Sequence, residues 1–282
     1  MKTFAKINLT LDILGKRPDG YHELSSVMQS VSLHDTLSIT RTERQGISIK
    51  ADSPELPVGR DNLVYKAAEF ILKEYNLTSC GVSVEIEKRI PIAAGLAGGS
   101  SNCAAALTGL RDLFGLNIPE DKLHQIGKGF GADVPFCLLS GGTALAEGIG
   151  EKLTLLPPHP DIYVALARLP VHVATKEVFG RWTGAGERKT PEMLEALTSG
   201  RLDNIAGALG NGLASTAIAM HPEIAEVIEA FRKNNACGVN MTGSGPTVFA
   251  YFHTEEDANI AVEAIKYKYN CDTFCTKIYN GN

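Results

Sequence analysis

The sequence predicts an α+β protein, because strand-like and helix-like segments are mixed along the chain without the strict β–α–β alternation of a doubly wound fold. Residues 4–14 alternate between apolar and polar side chains, which is typical of a half-buried strand. The Ala/Leu-rich segment at about 100–114 favours a helix instead. The 282 residues are enough for about two domains.

Residue spacing and turn residues predict the elements of the N-terminal half. Asp61 or Asn62 is placed to cap a helix that ends at about Tyr75, and the turn Pro18-Asp19-Gly20 separates the first strands. Further helices are predicted at about 100–114 and at 119–128. The predicted strands lie at 4–14, 24–32, 37–40, 47–50, 82–86 and near 136–147, the last group following a loop at 129–135.

The segment Pro157-Pro158-His159-Pro160 is the best linker candidate, because proline interrupts both helix and sheet. We therefore expect one domain over residues 1–157 and a second over 158–282. The second is predicted to contain several helices between 175 and 234, a helix at 255–269, and strands at 162–168, 238–242, 247–253 and 272–278.

Charge and apolar runs exclude several classes of protein. The formal net charge of −5 argues against non-specific binding to nucleic acid or anionic lipid, and no apolar run approaches the roughly 18 residues of a membrane span. The N-terminal strand pattern leaves no room for a signal or transit peptide. The six sparse cysteines are expected to be reduced thiols of a cytoplasmic protein, with a bridge or metal site at Cys271 and Cys275 as the alternative.

The 28 glycines gather in clusters, and the first cluster precedes the helix at 100–114. Gly98 and Gly99 lack Cβ atoms, so the backbone can approach a ligand closely, and the free N–H groups and positive dipole of the following helix favour phosphate. Serine hydroxyls there could bind Mg²⁺ that bridges two phosphates. A tight connection without a ligand is an equal alternative, since the loop is neither a Walker A loop nor a GxGxxG fingerprint.

Two further clusters and one strand face are candidates for chemistry. Gly243-Ser244-Gly245-Pro246 is a hairpin turn by itself, or a second loop that closes on the same ligand from another domain. Asp133 lies between glycines and an apolar run, where desolvation would raise its pKa toward use as a general base; a turn-capping aspartate is the commoner alternative. Lys6 and Asn8 share one face of the first strand, where the lysine faces either solvent or a transferred phosphoryl group.

Together these segments resemble the GHMP kinase superfamily of small-molecule kinases. Ala5-Lys6-Ile7-Asn8-Leu9, the Pro91–Asn102 loop and Gly243-Ser244-Gly245-Pro246 are similar to its three signature motifs, in the same order and over essentially the whole chain. The resemblance implies a two-domain fold, with an N-terminal ribosomal-protein-S5-like domain and a C-terminal ferredoxin-like α/β plait domain. It also implies ATP and Mg²⁺ as cofactors.

The segment from Gly15 to Leu24 narrows this resemblance, together with Gly131–Phe136 and Gly148–Glu151. These residues resemble the family members that phosphorylate a cytidine-diphosphate-linked methylerythritol. The resemblance therefore implies ATP-dependent transfer to the 2-hydroxyl of that small-molecule substrate, in the non-mevalonate route to isoprenoid precursors.

The resemblance also assigns roles by position. Lys6 and Asp133 become the catalytic pair, and Asn8 positions the methylerythritol end. Tyr21 stacks on cytosine, His22 hydrogen-bonds its edge, and Thr175 and Phe179 complete the substrate contacts. The implied ATP-binding residues are Asn62, Lys88, Pro91, Ile92, Ala93, Ala94, Gly95, Leu96, Ala97, Gly98, Gly99, Ser100, Ser101 and Asn102. Ala97 stands where many relatives have a third consecutive glycine, which questions how freely this position adopts positive φ.

Three alternatives to this function differ in what they predict. A kinase of the same superfamily that phosphorylates a different alcohol would have no evident use for Tyr21 and His22. A non-catalytic nucleotide-binding module would not need both Lys6 and Asp133. A metal-dependent hydrolase is weaker still, because no His/Asp/Glu cluster has ligand spacing.

Overall fold

In the computed structural model, which describes residues 1–184 and 186–281, the chain forms two compact units. Both units are assembled from interleaved segments. Unit 1 comprises residues 1–5, 33–92 and 97–140, and unit 2 comprises residues 6–32, 93–96 and 141–282. The domain boundary after residue 157 stays a prediction.

Strands and helices alternate irregularly along the chain, as expected for an α+β fold. The strands are β1 Lys2–Asn8, β2 Thr10–Lys16, β3 His22–Thr42, β4 Gly46–Ala51, β5 Gly81–Glu87, β6 Thr143–Gly148, β7 Lys152–Leu155, β8 Tyr163–Arg168, β9 Gly210–Asn211, β10 Gly238–Met241, β11 Thr247–Phe252 and β12 Asp272–Lys277. The helices are α1 Leu63–Glu74, α2 Gly98–Leu113, α3 Glu120–Lys128, α4 Val134–Leu138, α5 Thr175–Arg181, α6 Thr190–Ser199, α7 Leu202–Gly207, α8 Ala214–Met220, α9 Glu223–Lys233 and α10 Glu255–Tyr269.

Unit 1 packs α1 and α2 beside a small sheet. The C-terminal part of β3 pairs antiparallel with β5, and β5 pairs in parallel with β4. The core is formed by apolar side chains that recur on one face of each element, such as Ala67 of α1, Leu107 of α2 and Val84 of β5, all fully buried. The helices α3 and α4 close this core near the start of α2.

Unit 2 contains a four-stranded antiparallel sheet in the order β10-β11-β8-β12, with α9 and α10 packed on it. Its core includes Phe231 of α9, Ala261 of α10 and Ala250 of β11. The N-terminal part of β3 pairs antiparallel with β2 and with β6. These strands belong to unit 2 together with the end of β1, which carries Lys6 and Asn8.

The prediction of one half-buried strand at 4–14 is wrong. The segment forms β1 and β2, which are separated at Leu9, and its polar side chains Lys6, Asn8, Thr10 and Asp12 are all buried. The Asp12 carboxylate accepts hydrogen bonds from the Lys189 and Thr190 amides at the N-terminus of α6, at 2.9 Å each. Because this helix covers the polar face, alternation here reflects two buried environments and not one solvated face.

The strand predicted from residue 136 is also wrong at its beginning. Residues Val134–Leu138 form the short helix α4, and β6 begins only at Thr143. Pro135 is tolerated because the first helical residues need no backbone N–H partner. A five-residue apolar run is too short for periodicity to separate helix from strand.

The predicted linker is packed and not free. His159 is 1% exposed, its Nε2 lies 3.1 Å from the Tyr251 hydroxyl, and its carbonyl accepts a hydrogen bond from the Asn280 side chain at 2.9 Å. All six cysteines are free, which leaves the alternative of a Cys271–Cys275 bridge without support. Within residues 1–184 and 186–281, no helix combines the length and apolar character needed to cross a membrane.

Candidate active site

Lys6 and Asn8 lie next to each other on β1, as their spacing predicts. The Lys6 ammonium donates to Asn8 Oδ1 at 2.7 Å, and both side chains are almost fully buried. Asn8 Oδ1 also accepts from the Gly243 amide at 3.0 Å, while the Asn8 amide donates to Thr242 Oγ1 at 3.0 Å. The Asn8 Nδ2 group donates to Ser26 Oγ. Asn8 therefore holds both Lys6 and the glycine loop that begins at Thr242.

That loop, residues 242–246, is called the hairpin loop because it connects β10 to β11. Its backbone is closed by hydrogen bonds from the Thr242 amide to the Thr247 carbonyl and from the Gly245 amide to the Thr242 carbonyl. The Asn211 side chain donates to the Gly243 carbonyl at 2.8 Å. The Ser244 hydroxyl lies 2.9 Å from Thr175 Oγ1. The predicted substrate residue Thr175 is thus linked to Asn8 through this loop.

Residues 93–96 of the first glycine cluster pack against the hairpin loop within unit 2. The Thr247 hydroxyl donates to the Ala94 carbonyl at 2.7 Å. A Cβ added at Gly95 would lie 3.0 Å from the Thr242 carbonyl oxygen, so only glycine fits the present approach at this position. The hairpin loop is therefore a packing partner of the first glycine cluster.

The start of α2, residues 97–100, is called the helix-start loop. Ala97 is the N-cap and adopts φ 57°, ψ 26°, so the alanine does reach the left-handed conformation that the sequence left in question. The first helical hydrogen bond runs from the Ser101 amide to the Ala97 carbonyl at 2.8 Å. The amides of residues 98–100 precede it, and no side chain caps this helix. An N-terminus of this kind attracts phosphate.

Lys88, a predicted ATP-binding residue, forms a buried ion pair in unit 1. Its ammonium lies 2.7 Å from Asp35 Oδ2 and also bonds the Ile90 carbonyl. The other Asp35 oxygen accepts the Arg89 and Ile90 amides at 2.7 and 2.8 Å. Burial lowers the pKa of Lys88, and the neighbouring Asp35 carboxylate opposes that change. The pair fixes the backbone just before the first glycine cluster, and nothing in the sequence signalled Asp35.

Asn62, also predicted on the ATP side, is the N-cap of α1. Its Oδ1 accepts from the Val64 amide at 2.8 Å, and its Nδ2 donates to the Pro57 carbonyl at 2.6 Å. A Cβ added at Gly99 would lie 3.8 Å from Leu63 Cδ1, so α1 begins beside the start of α2. Asn62 thus fixes a helix start beside the helix-start loop.

Asp133 immediately precedes α4 but does not cap it. Its side chain makes no capping hydrogen bond to this helix. A Cβ added at Gly131 would lie 3.9 Å from Ser100 Oγ, so this loop lies beside the helix-start loop. Unit 1 therefore places the loop that leads to Asp133 beside the open N-terminus of α2.

Of the predicted base-recognition residues, His22 and Phe179 are brought together in unit 2, and Trp182 packs beside them. Tyr21 is 62% exposed, whereas the His22 ring lies against the Phe179 ring at a centroid distance of 5.2 Å and an interplanar angle of 31°. Burial and, to a smaller extent, the charge of Lys16 lower the pKa of His22. Trp182 packs its ring edge-on against His22 at 5.6 Å and 90°. The only sequence signal for Trp182 was its position three residues after Phe179.

Comparisons with known proteins agree with this arrangement. The model of the "GHMP kinases N terminal domain" matches residues 62–141, and the "GHMP kinases C terminal" model matches residues 193–271. The chain is 42% identical over 269 residues to the 4-diphosphocytidyl-2-C-methyl-D-erythritol kinase of Caldicellulosiruptor saccharolyticus, covering 94% of this chain and 92% of that protein. It is also 42% identical to the kinase of that name from Clostridioides difficile, covering 95% and 92%.

A solved structure extends the likeness to three dimensions. A crystal structure of 4-(cytidine 5'-diphospho)-2C-methyl-D-erythritol kinase superposes with a TM-score of 0.86 and 31% identity, covering 100% of this chain and 99% of that chain. The two-domain GHMP kinase fold predicted from the sequence is therefore confirmed.

Proposed function

Because the chain belongs to the 4-diphosphocytidyl-2-C-methyl-D-erythritol kinase family of GHMP kinases, we propose that it transfers the γ-phosphoryl group of ATP to the 2-hydroxyl of 4-diphosphocytidyl-2-C-methyl-D-erythritol. This reaction is a step of the non-mevalonate route to isoprenoid precursors. The observation that carries the choice of substrate is the likeness at 42% identity over 94% of the chain. A cytoplasmic location is part of the proposal and is supported by the six free thiols.

Lys6 and Asp133 are the proposed catalytic residues. Phosphoryl transfer passes through a loose transition state, so it depends mainly on positioning and on charge stabilisation. Asp133 accepts the proton of the substrate hydroxyl, a role consistent with a carboxylate that does not cap its own helix. The Lys6 ammonium, held by Asn8, lowers the pKa of that hydroxyl and offsets charge that develops on the phosphoryl oxygens.

The helix-start loop is the proposed site for the ATP phosphates. Its open amides and the positive end of the α2 dipole supply donors and charge for an anion. Lys88 and Asn62 are proposed to act here by fixing the neighbouring backbone, because their polar groups bond Asp35 and the first turn of α1.

The donor set around this loop fits Mg²⁺ carried by the nucleotide. Among the residues that the structure describes, no cluster of three or more His, Cys, Asp or Glu side chains is built to hold a metal. Mg²⁺ usually keeps several waters and binds substrate phosphates with only one or two protein oxygens. The Ser101 hydroxyl donates to the Gly98 carbonyl, which leaves Ser100 as the better placed hydroxyl. When bound, the ion neutralises charge on the phosphate oxygens.

The substrate side lies in unit 2. We assign the cytidine base to Tyr21, His22 and Phe179, since an exposed tyrosine and a His–Phe pair offer both ring faces and an imidazole for a base edge. Asn8 and Thr175 are assigned to the methylerythritol end through their shared link to the hairpin loop.

A coupled assay of ADP release tests the proposal with two acceptors. We expect rapid turnover of 4-diphosphocytidyl-2-C-methyl-D-erythritol and little turnover of methylerythritol phosphate, which lacks the cytidine group. Equal kcat/KM values for the two acceptors would contradict base recognition. Absence of turnover with either acceptor, under conditions where ATP binds, would contradict the reaction itself.

A further inference from the structure

The His22 imidazole is held on two sides by the end of α5. Phe179 covers its face at 5.2 Å, and Trp182 meets it edge-on at 5.6 Å. Phe179 and Trp182 are one helical turn apart, and the Trp182 amide donates to the Phe179 carbonyl at 3.4 Å. Both aromatic side chains are half-buried against the core of unit 2. The two rings therefore form one rigid support, and His22 rests on it.

The backbone that carries His22 is fixed independently of α5. His22 begins β3 and is paired with Lys16 of β2. The Arg17 guanidinium bonds Asp19 at 3.1 Å and Glu23 at 2.8 Å, and so closes the turn between the two strands. With the backbone held by the turn, the remaining freedom of His22 is rotation of its ring, a torsion that is broad in the absence of neighbours.

Ring rotation decides which way the imidazole nitrogens point. Hydrogen bonds to a base edge are directional, and a site that is pre-organised for one edge rejects a base with a different pattern of donors and acceptors. Cytosine and uracil differ in this way along that edge, because cytosine has an amino group and an unprotonated ring nitrogen where uracil has a carbonyl and a ring N–H.

Resting on the function proposed above, we propose that Trp182 is a positioning residue that determines base specificity, because it holds the His22 imidazole in the orientation that reads the edge of a cytidine nucleotide. Trp182 acts through His22 and Phe179. Its effect therefore falls on binding of the cytidine moiety and leaves the transfer step unchanged.

The experiment compares Trp182→Met with Trp182→Phe by calorimetric titration of CDP and UDP. We expect Trp182→Met to weaken CDP binding by about tenfold, the scale of one aromatic contact, and to reduce the preference for CDP over UDP. Trp182→Phe retains an aromatic edge, so it should retain most of the CDP affinity and most of the preference for CDP over UDP. In turnover, the Met variant should raise KM for the cytidine-linked substrate while kcat and KM for ATP stay constant.

Tyr163→Leu is the matched control, because this aromatic side chain is also half-buried against the core of unit 2, but its ring is contacted by the Lys277 ammonium, 4.4 Å from the ring centroid. It should lower thermal stability without changing the CDP/UDP preference. Unchanged CDP affinity and preference in a folded Trp182→Met variant would overturn the proposal. An equal loss of preference in Tyr163→Leu would do the same.

Trp182 is the sole tryptophan of the chain, which gives a second measurement on the unmodified protein. Saturation with CDP should change its emission, and binding that is seen by calorimetry without any change in emission would overturn the proposal even if the Met variant does not fold. A wild-type protein whose Trp182 emission changes on CDP binding, but which phosphorylates no cytidine-linked acceptor, would support the inference and contradict the proposed function.

Discussion

The two glycine-rich loops of the molecule use glycine in opposite ways. In the helix-start loop the amides of residues 98–100 precede the first helical hydrogen bond, and no side chain caps the helix. In the hairpin loop the Gly243 and Gly245 amides both donate within the protein, and the Ser244 hydroxyl is paired with Thr175. The first loop leaves amide donors for a ligand. In the second loop the donors bond within the protein, the Gly243 amide to Asn8 and the Gly245 amide to the Thr242 carbonyl.

This difference shows that a glycine cluster does not by itself identify a phosphate loop. What separates the two is the element that follows. A helix leaves its first amides without intrahelical partners, while a hairpin pairs the amides of its two strands. The helix-start loop is thus suited to bind phosphate, and the hairpin loop is suited to hold Lys6 in place through Asn8. The predictions below test this division, beginning with the largest effect.

Asp133→Asn is the most severe test on the side of the helix-start loop. An amide cannot accept the proton of the substrate hydroxyl, so we expect kcat to fall by on the order of 10²–10⁴ while KM for ATP changes little. Asp121→Asn, which removes an exposed carboxylate from the first turn of α3, is the control and should retain turnover. Near-normal turnover of Asp133→Asn would remove the general-base assignment.

Lys6→Met tests what the hairpin loop holds in place. Methionine keeps much of the side-chain length without the charge, so kcat should fall by on the order of 10²–10³. Lys2 lies on the same strand at an exposed position, so the control Lys2→Met should leave kcat unchanged. An increase in KM with unchanged kcat would reduce Lys6 to a residue that binds substrate and transition state equally.

Ser100→Ala and Ser244→Ala compare the two loops directly. If Ser100 contacts the nucleotide or its metal ion, loss of its hydroxyl should raise KM for ATP by roughly threefold to tenfold, the range of one hydrogen bond. Ser244→Ala removes the bond to Thr175 and should leave KM for ATP unchanged. Steady-state kinetics with varied ATP distinguish the two variants. Equal changes in KM for ATP would contradict the proposed difference between the helix-start loop and the hairpin loop.

Ala97→Gly has the smallest expected effect and acts on stability. An alanine in the left-handed region carries about 1 kcal/mol of strain that glycine does not, so the variant should gain about 2–4 °C in Tm. Ala94→Gly is the control, because Ala94 is buried and has no positive φ, and its substitution should lower Tm. Equal changes in both variants would show that strain at Ala97 is negligible.

Much of the site could be predicted from local sequence. The Asn62 cap, the Lys6–Asn8 face and the helix that begins at Gly98 all depend on residues within a few positions of each other, where spacing is informative. The whole-chain fold was predictable only through family resemblance, since strand order is set by pairings between residues far apart in the sequence.

The half-buried strand predicted at 4–14 was wrong, and two residues were missed, because their partners come from distant segments. Burial of Asp12 depends on α6, which begins at Thr190, and no local pattern announces that contact. Asp35 was missed for the same reason, because its partners are Lys88 and the backbone that follows it. Trp182 lay beside a predicted contact residue, but its target, His22, is separated from it by most of the chain.

The interleaving of the two units has a consequence for how the molecule can be made and divided. The chain passes from one unit to the other at residues 5/6, 32/33, 92/93, 96/97 and 140/141, so neither unit is a continuous piece of polypeptide. A gene fragment that ends near Pro157 would encode all of unit 1 and, attached to it, the unit 2 strands β2, β6 and β7, which keep their pairing with β3 or with one another but lose the later segments that pack on them. The apolar side chains Leu11 and Ile13 of β2, which are buried in the core of unit 2, would then lack their partners, and contacts between distant segments slow folding. Because β12 completes the four-stranded sheet by pairing with β8, we expect unit 2 to fold later than unit 1 as the chain is made.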